Sequence, residues 1–201
     1  MLSLIDEEWE DIYKNYSLAE IPWHEDKPAE YLIDLLKNGD IKTGIALDVC
    51  SGAGTNAIYL AQKGFDVTGI DISETATKIA QKYANEKNIS KHCKFFSGDV
   101  LKFKLSKNKF DFVFDRGCYH HIPKIDKPKF AKIISESLKK GGKYLLLCFS
   151  DKNPPWEKNV TKDEIKKNFS KYFDIGGIKD YPAIEKTGRK LEFYLTLMTK
   201  K

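Results

Sequence analysis

The sequence predicts a doubly wound α/β domain around a seven-stranded mixed sheet. Three observations carry that expectation. The run Ala46-Leu47-Asp48-Val49 is apolar around one acid, and Gly52 and Gly54 then open a helical pattern. A second apolar run, Phe65-Asp66-Val67-Thr68-Gly69-Ile70-Asp71, ends on another acid. Strand-like and helical periodicities then keep alternating until strand five.

The elements follow in order. Residues 3–17 read as an amphipathic helix with Ser3 as N-cap and Leu4, Ile5, Trp9, Ile12 and Tyr16 at helical spacings. Ile21-Pro22-Trp23-His24 to Pro28 is irregular, bracketed by prolines, and 29–38 is a second helix stopped by Asn38-Gly39. Strand one is 44–50, with its helix over 54–64. Strand two is 65–71, with a helix from a Ser73 cap to Asn88. Strands three and four are 93–98 and 109–115. A helix over 126–140 ends at Gly141-Gly142, and strand five is 143–149. Thr161-Lys162-Asp163-Glu164 has the form of a capping box, opening a helix to Tyr172. Two last runs, 174–182 and 191–199, joined at Thr187-Gly188, read as a hairpin that gives the sheet an antiparallel edge.

Length and composition bound the rest. At 201 residues the chain reads as one domain over 1–201, with a helical extension over 1–40 and an α/β core over 41–201. No apolar run is long enough to span a membrane, and the acidic opening lacks the basic start of a signal peptide. A cytoplasmic location is expected. Of 34 basic residues only Arg116 and Arg189 are arginines, and the lysines are scattered. That is a solvated surface rather than a nucleic-acid groove, and no nucleic-acid partner is expected. Oligomeric state is open. Cys50, Cys93, Cys118 and Cys148 show no CxxC or metal-finger spacing, so no metal is expected, and in a cytoplasmic protein they are expected to be reduced.

The ligand is read from charge. Gly52-x-Gly54-x-x-Ala57 with Asp71 beyond also fits a dinucleotide fingerprint. A carboxylate at Asp48 would repel the pyrophosphate of NAD, whereas S-adenosylmethionine presents a cationic sulfonium and an ammonium. Asp71, Asp99 and Asp115 also stand at strand ends. Four acids around one crevice suit a cationic ligand; the alternative is that each caps a turn.

With these motifs the sequence resembles the class I S-adenosylmethionine-dependent methyltransferases, from residue 40 to the end. The resemblance implies that Asp48, Cys50, Gly52 and Gly54 surround the methionine part of the cofactor. It implies that Asp71 binds the ribose hydroxyls, that Ile72 packs on adenine, and that Asp99 and Val100 meet the adenine edge. Asp115 and Arg116 would lie beside the methionine. The usual motif has glycine where this chain has Cys50. Ile21-Pro22-Trp23 with Pro28 resembles the Pro-Trp segment of small-molecule methyltransferases acting on thiols, halides, thiopurines or tellurite. By that likeness residues 1–28 form a lid and Trp23 borders the cofactor.

Phe114 to Pro123 follows strand four, where this family places its reacting groups. Tyr119, His120 and His121 are therefore the candidate catalytic residues, a histidine serving as general base or positioning the acceptor. Asn153-Pro154-Pro155-Trp156 imitates the motif of amino-methyltransferases acting on DNA, but it follows strand five rather than strand four. It reads as a pocket wall or a stiffened surface turn. The expected function is methyl transfer from S-adenosylmethionine to a small-molecule acceptor by in-line displacement. The alternatives are a non-catalytic S-adenosylmethionine-binding module, a nucleic-acid or protein methyltransferase, and a nucleotide-cofactor oxidoreductase.

Overall fold

The computed structural model describes residues 8–155 and 158–201. The helix expected over 3–17 is described as α1 (Trp9–Asn15); Ser3, Leu4 and Ile5 lie outside the described residues, as does Trp156. There follow α2 (Glu30–Lys37), β1 (Ile45–Val49), α3 (Thr55–Gln62), β2 (Asp66–Asp71), α4 (Glu74–Glu86), β3 (Cys93–Ser97) and β4 (Phe110–Arg116). A single 3₁₀ turn spans Tyr119–His121. After it come α5 (Lys127–Ser137), β5 (Leu138–Phe149), α6 (Lys162–Phe169), β6 (Phe173–Ile175), β7 (Lys179–Ile184) and β8 (Lys190–Lys200).

The strands form one sheet in the order β3-β2-β1-β4-β5-β8-β6, with β7 also on β8. β6 and β7 lie on the same edge of β8 and are one strand position broken at Gly176-Gly177, so the sheet has the seven positions expected. The first five strands are parallel and β8 is antiparallel to β5. One expectation is corrected here. The antiparallel strand is not at the edge but lies between β5 and the broken β6–β7 strand. The reason is apolar content: Leu191, Tyr194 and Met198 of β8 are buried, while β7 has no buried residue and takes the edge.

Strand alternation divides the core into two layers. Ala46, Phe112, Phe114, Leu145 and Leu147 face α2 and α3 through Leu32, Ile58 and Leu60. Leu47, Val49, Val113, Tyr144 and Leu146 face α5 and α6 through Phe130, Ile134, Ile165 and Phe169. The expected caps form: Ser73 Oγ accepts from Ala76 N at 3.0 Å, and Thr161 Oγ1 from Glu164 N at 3.0 Å. The helix expected to reach residue 140 stops at Ser137, because Leu138 is drawn into the sheet against Phe110. Gly141 (φ 76°) then turns the chain within β5, and a side chain at Gly142 would meet the Lys139 carbonyl at 2.8 Å. No described helix is long and apolar enough to cross a membrane.

A buried cation lies inside the second layer. Lys127 is 2% exposed, donates to Glu164 Oε1 at 2.7 Å and lies over the Tyr119 ring. Glu164→Ala strands that ammonium and is expected to lower unfolding free energy by about 3–5 kcal/mol, whereas Lys127→Met, which removes the buried charge itself, should be clearly milder. Urea unfolding of both variants reads the difference.

Candidate active site

The loops after β1, β2, β3 and β4 meet at the carboxyl rim of the sheet, where a doubly wound fold binds its ligands. Parallel register sets Asp48 opposite Gly69 and Phe114, and Val49 opposite Ile70 and Asp115. Because side chains alternate, Asp48 and Arg116 fall on the α3 side of the sheet and Asp115 falls on the α5 side. The four acids are therefore not equivalent.

Asp48 is 3% exposed and accepts from the Ala57 N–H. Burial, and then the neighbouring carboxylates of Asp115 and Asp71, push its pKa well above the usual carboxylate range. Asp71 accepts from Gly52 N at 2.8 Å and Ser73 N at 2.9 Å, and burial still raises it. Asp99 stands at the rim, caps its own turn through Leu101 N, and pairs with Lys102 at 3.3 Å. Beside Asp71, Ile72 is 55% exposed and Phe96 is 44% exposed, two large apolar side chains on open strand ends. Val100 is packed in the core.

Asp115 departs from the expectation. It is fully buried; Oδ1 accepts from Cys118 N at 2.8 Å and lies 3.4 Å from Tyr119 N, while Oδ2 accepts from Tyr144 Oη at 2.8 Å. Burial lifts its pKa to about 7 against those donors. It caps the turn after β4 from beneath, and strand alternation turns its carboxylate away from the cofactor face. Asp71 and Asp99 also cap turns, but they remain at the rim, whereas Asp115 serves the capping role alone.

Tyr119 is likewise corrected. It has no exposed surface, its ring packs on Phe130 and Phe169, and its hydroxyl accepts from Asn168 at 2.7 Å and lies 3.3 Å from Glu164. It is a core residue under α6 rather than a group in the cleft. His120 is buried, stacks on Phe149 at 3.9 Å, and accepts from Phe149 N through Nδ1 at 3.0 Å. Burial, reinforced by neighbouring His121, holds its pKa well below the usual histidine range. With Nδ1 occupied, the remaining proton sits on Nε2, so this ring is a donor and not a base. His121 meets the edge of Trp9 at 4.7 Å, and burial lowers its pKa to about 3.

The cleft is roofed by aromatic residues of the N-terminal segment, Trp23 among them. Trp9 and Trp23 meet edge to face at 5.2 Å. Tyr13 is buried, hydrogen-bonds the Trp23 side chain, and its hydroxyl sits where a Cβ on Gly52 would lie, 2.6 Å away. Gly52 (φ 52°) thus makes room for the roof. Gly54 (φ 83°) has a packing duty: a Cβ there would come within 2.6 Å of Phe95 and 2.8 Å of Ala80. Three clasps hold the roof. Arg116 donates to the Trp23 carbonyl at 3.0 Å, with Glu25 at 3.8 Å. Thr55 Oγ1 donates to the Glu25 carbonyl at 2.8 Å, and Ala29 N to Asn56 Oδ1 at 2.9 Å. Glu10 accepts from Ser73 Oγ at 2.6 Å and from Thr75 N and Oγ1 at 3.0 and 2.8 Å. That clasp joins α1 to the start of α4, and its pattern is not legible from sequence spacing.

Asn153 is spoken for as well. Its amide donates to the Ser150 and Glu192 carbonyls at 2.8 and 2.7 Å, and its oxygen accepts from Glu192 N at 2.8 Å. This residue staples the loop after β5 to β8 and has no amide group left for a base. The four cysteines are not all reduced: Cys50 and Cys118 form a disulfide across the ends of β1 and β4, while Cys93 and Cys148 are buried and free. The expectation rested on a cytoplasmic location, but adjacent parallel strands bring together two cysteines 68 residues apart.

The donor set fits a cationic nucleoside. Two buried carboxylates share one face with Arg116, an apolar platform stands beside the second, and among the described residues the buried Ser51 Oγ has no hydrogen-bond partner. Comparison with known proteins agrees. A family model described as a methyltransferase domain matches residues 46–142. An uncharacterized methyltransferase of Schizosaccharomyces pombe is 33% identical over 122 residues, covering 60% of this chain and 81% of that protein. A 2-heptyl-1-hydroxyquinolin-4(1H)-one methyltransferase of Mycobacteroides abscessus is 26% identical over 164 residues, covering 80% of this chain and 71% of that one. The crystal structure of TehB from Haemophilus influenzae superposes with a TM-score of 0.74 at 21% identity, over 96% of this chain and 67% of that chain. The chain belongs to the class I S-adenosylmethionine-dependent methyltransferases. It is an enzyme that takes S-adenosylmethionine as methyl donor.

Arg116→Ala removes a charged hydrogen bond of about 1.5–3 kcal/mol from the roof. Limited proteolysis is expected to cut within 17–28 sooner in that variant, while the urea midpoint of the sheet is nearly unchanged. Glu10 is held at about 2, below its ordinary 4.5, chiefly by Ser73 Oγ and Thr75 N. A lowered carboxyl contributes stability that is present above pH 4.5 and is lost as pH falls towards 2. Acid should therefore loosen α1 over that window, seen as a change in Trp9 and Trp23 fluorescence that Glu10→Gln abolishes.

Proposed function

We propose that this enzyme methylates a small molecule that ionises by itself, under a lid formed by the N-terminal extension. The observation that carries the reading is the occupied Nδ1 of His120 together with the aromatic surroundings of His121. S-adenosylmethionine supplies an already activated methyl group on a cationic sulfur, so alignment and exclusion of water are the protein's main tasks. Alignment of this kind lowers a barrier by about 7–11 kcal/mol.

In this reading Asp71 takes the ribose hydroxyls, Ile72 lies against adenine, and Asp99 with the Val100 backbone meets its edge. Asp48 stands beside the charged methionine end, where a cation relieves the burial of its carboxylate. The backbone at Cys50, Gly52 and Gly54 lines that end. Arg116 acts through Trp23 by holding the strap closed. Asp115 and Tyr119 act from below, by shaping the turn that carries His121.

The acceptor side is a run of rings, from Trp23 and Trp9 through His121 and His120 to Phe149 and Phe193. Both imidazoles are neutral at ordinary pH. A wall of aromatic rings and neutral imidazoles favours a flat, apolar acceptor, and Lys158, whose charge helps to lower both histidines, places a cation near an acceptor anion. Among the described residues of this wall, no carboxylate or histidine is free to abstract a proton near pH 7. The acceptor must then arrive with its own acidic group, a thiol or an N-hydroxy or phenolic oxygen. As the methyl moves, the anion and the sulfonium neutralise each other, which a dry pocket favours. The quinolinone named for the Mycobacteroides relative carries such a hydroxyl on a flat bicycle.

The test is a pH–rate profile for several acceptors of different acidity. The acid limb of kcat/KM is expected to track each acceptor's own pKa and to persist in His121→Asn. A constant limb near pH 6–7 that vanishes in His121→Asn would restore the histidine as base. Removal of residues 1–28 should abolish turnover.

A further inference from the structure

The disulfide lies at an odd place. It joins Cys50, the first residue after β1, to Cys118, two residues past β4, with Cα atoms 5.4 Å apart. Cys50 begins the loop that runs through Gly52 and Gly54 under the roof, and Cys118 begins the turn that carries His120 and His121. Cys50 has φ 53°, in the left-handed region that glycine enters freely and other residues enter at a penalty. It is not an asparagine or aspartate, whose side chains tolerate that region. Cys50 is exposed while Cys118 is 1% exposed, so only one sulfur of the pair is open to attack.

We propose that Cys50–Cys118 is a thiol–disulfide exchange site for a dithiol reductant, and that its oxidised form holds the cofactor loop in the shape that binds S-adenosylmethionine. The second half of this statement rests on the methyltransferase reading; the first does not. A thiolate of the dithiol attacks Cys50 Sγ, the bond to Cys118 breaks, and its electron pair leaves on Cys118 Sγ, which takes up a proton. The reductant's second thiol then displaces Cys50 from the mixed disulfide. The reductant leaves as a disulfide, and the protein has gained two electrons and two protons. A disulfide of the same class reverses the step. Opened, the pair leaves a non-glycine residue in a left-handed conformation with nothing covalent to keep it there, so the loop relaxes away from its binding shape.

The experiment equilibrates the whole chain with graded ratios of reduced to oxidised dithiothreitol, then quenches, denatures, alkylates and weighs it. Two forms are expected to interconvert across a single midpoint, one with two alkylated thiols, from Cys93 and Cys148, and one with four. In parallel, calorimetry with S-adenosylmethionine should find the four-thiol form about tenfold weaker, the equilibrium counterpart of a left-handed residue's penalty. Cys118→Ser should bind as weakly as the reduced protein whatever the reagent. Cys50→Gly should also ignore the reagent yet bind more tightly than Cys118→Ser, because glycine takes the same φ without a bridge. Four alkylated thiols at every ratio would overturn the exchange site. Equal affinity in both forms, or Cys118→Ser binding as tightly as the oxidised protein, would overturn its coupling to the cofactor. The mass measurement is independent of the cofactor, so a chain that binds no S-adenosylmethionine in either form refutes the cofactor reading while the exchange site stands or falls on its thiol count.

Discussion

Burial of the Asp48 carboxylate is the constraint around which this rim is organised. A carboxylate that is 3% exposed, with Asp71 on the same face and Asp115 behind, is unfavourable in its charged form unless a cation or hydrogen-bond donors compensate. Against this the chain supplies one backbone donor from Ala57 and the Arg116 guanidinium, and burial still outweighs them. The remaining deficit has the sign that a sulfonium and an ammonium satisfy. Binding power at the rim thus comes at a cost to the folded chain itself, as is common where a site is kept electrostatically unsatisfied.

The same rim explains the lid. α1 and the strap after it add nothing to the sheet's hydrogen bonding and form a small apolar cluster of their own, Ile12, Tyr13 and Ile21 with Ala76. They are held by Glu10 at the start of α4 and Arg116 at the tip of β4. These two, like the Thr55 and Asn56 clasp, are polar and lie outside the two core layers. The Tyr13 hydroxyl stands directly over Gly52, at the centre of this contact. Local stability that is lower than that of the core is therefore built into the N-terminal segment.

Much of the fold was legible because its signals are local. Apolar runs, the Ser73 and Thr161 caps and the Gly188 turn are written in short stretches, and each forms as read. Asp48 and Asp71 were legible as a pair because glycines and strand ends frame them. What failed required partners distant in sequence. Leu138 leaves its helix because Phe110 waits in the next strand. Tyr119 is consumed by Asn168 and Glu164.

The sequence by itself determined the α/β layering, the glycine loop, the acids at the strand ends and the sign of charge the cleft would welcome. Periodicity and composition act residue by residue and need no knowledge of neighbours. Only the tertiary structure decided which acids share a face, which histidine nitrogen is occupied, where the antiparallel strand inserts and which cysteines meet. Those outcomes depend on strand register and on the period-two alternation of side chains across it. A shift of one residue would have placed Asp115 in the cleft and Asp48 beneath it.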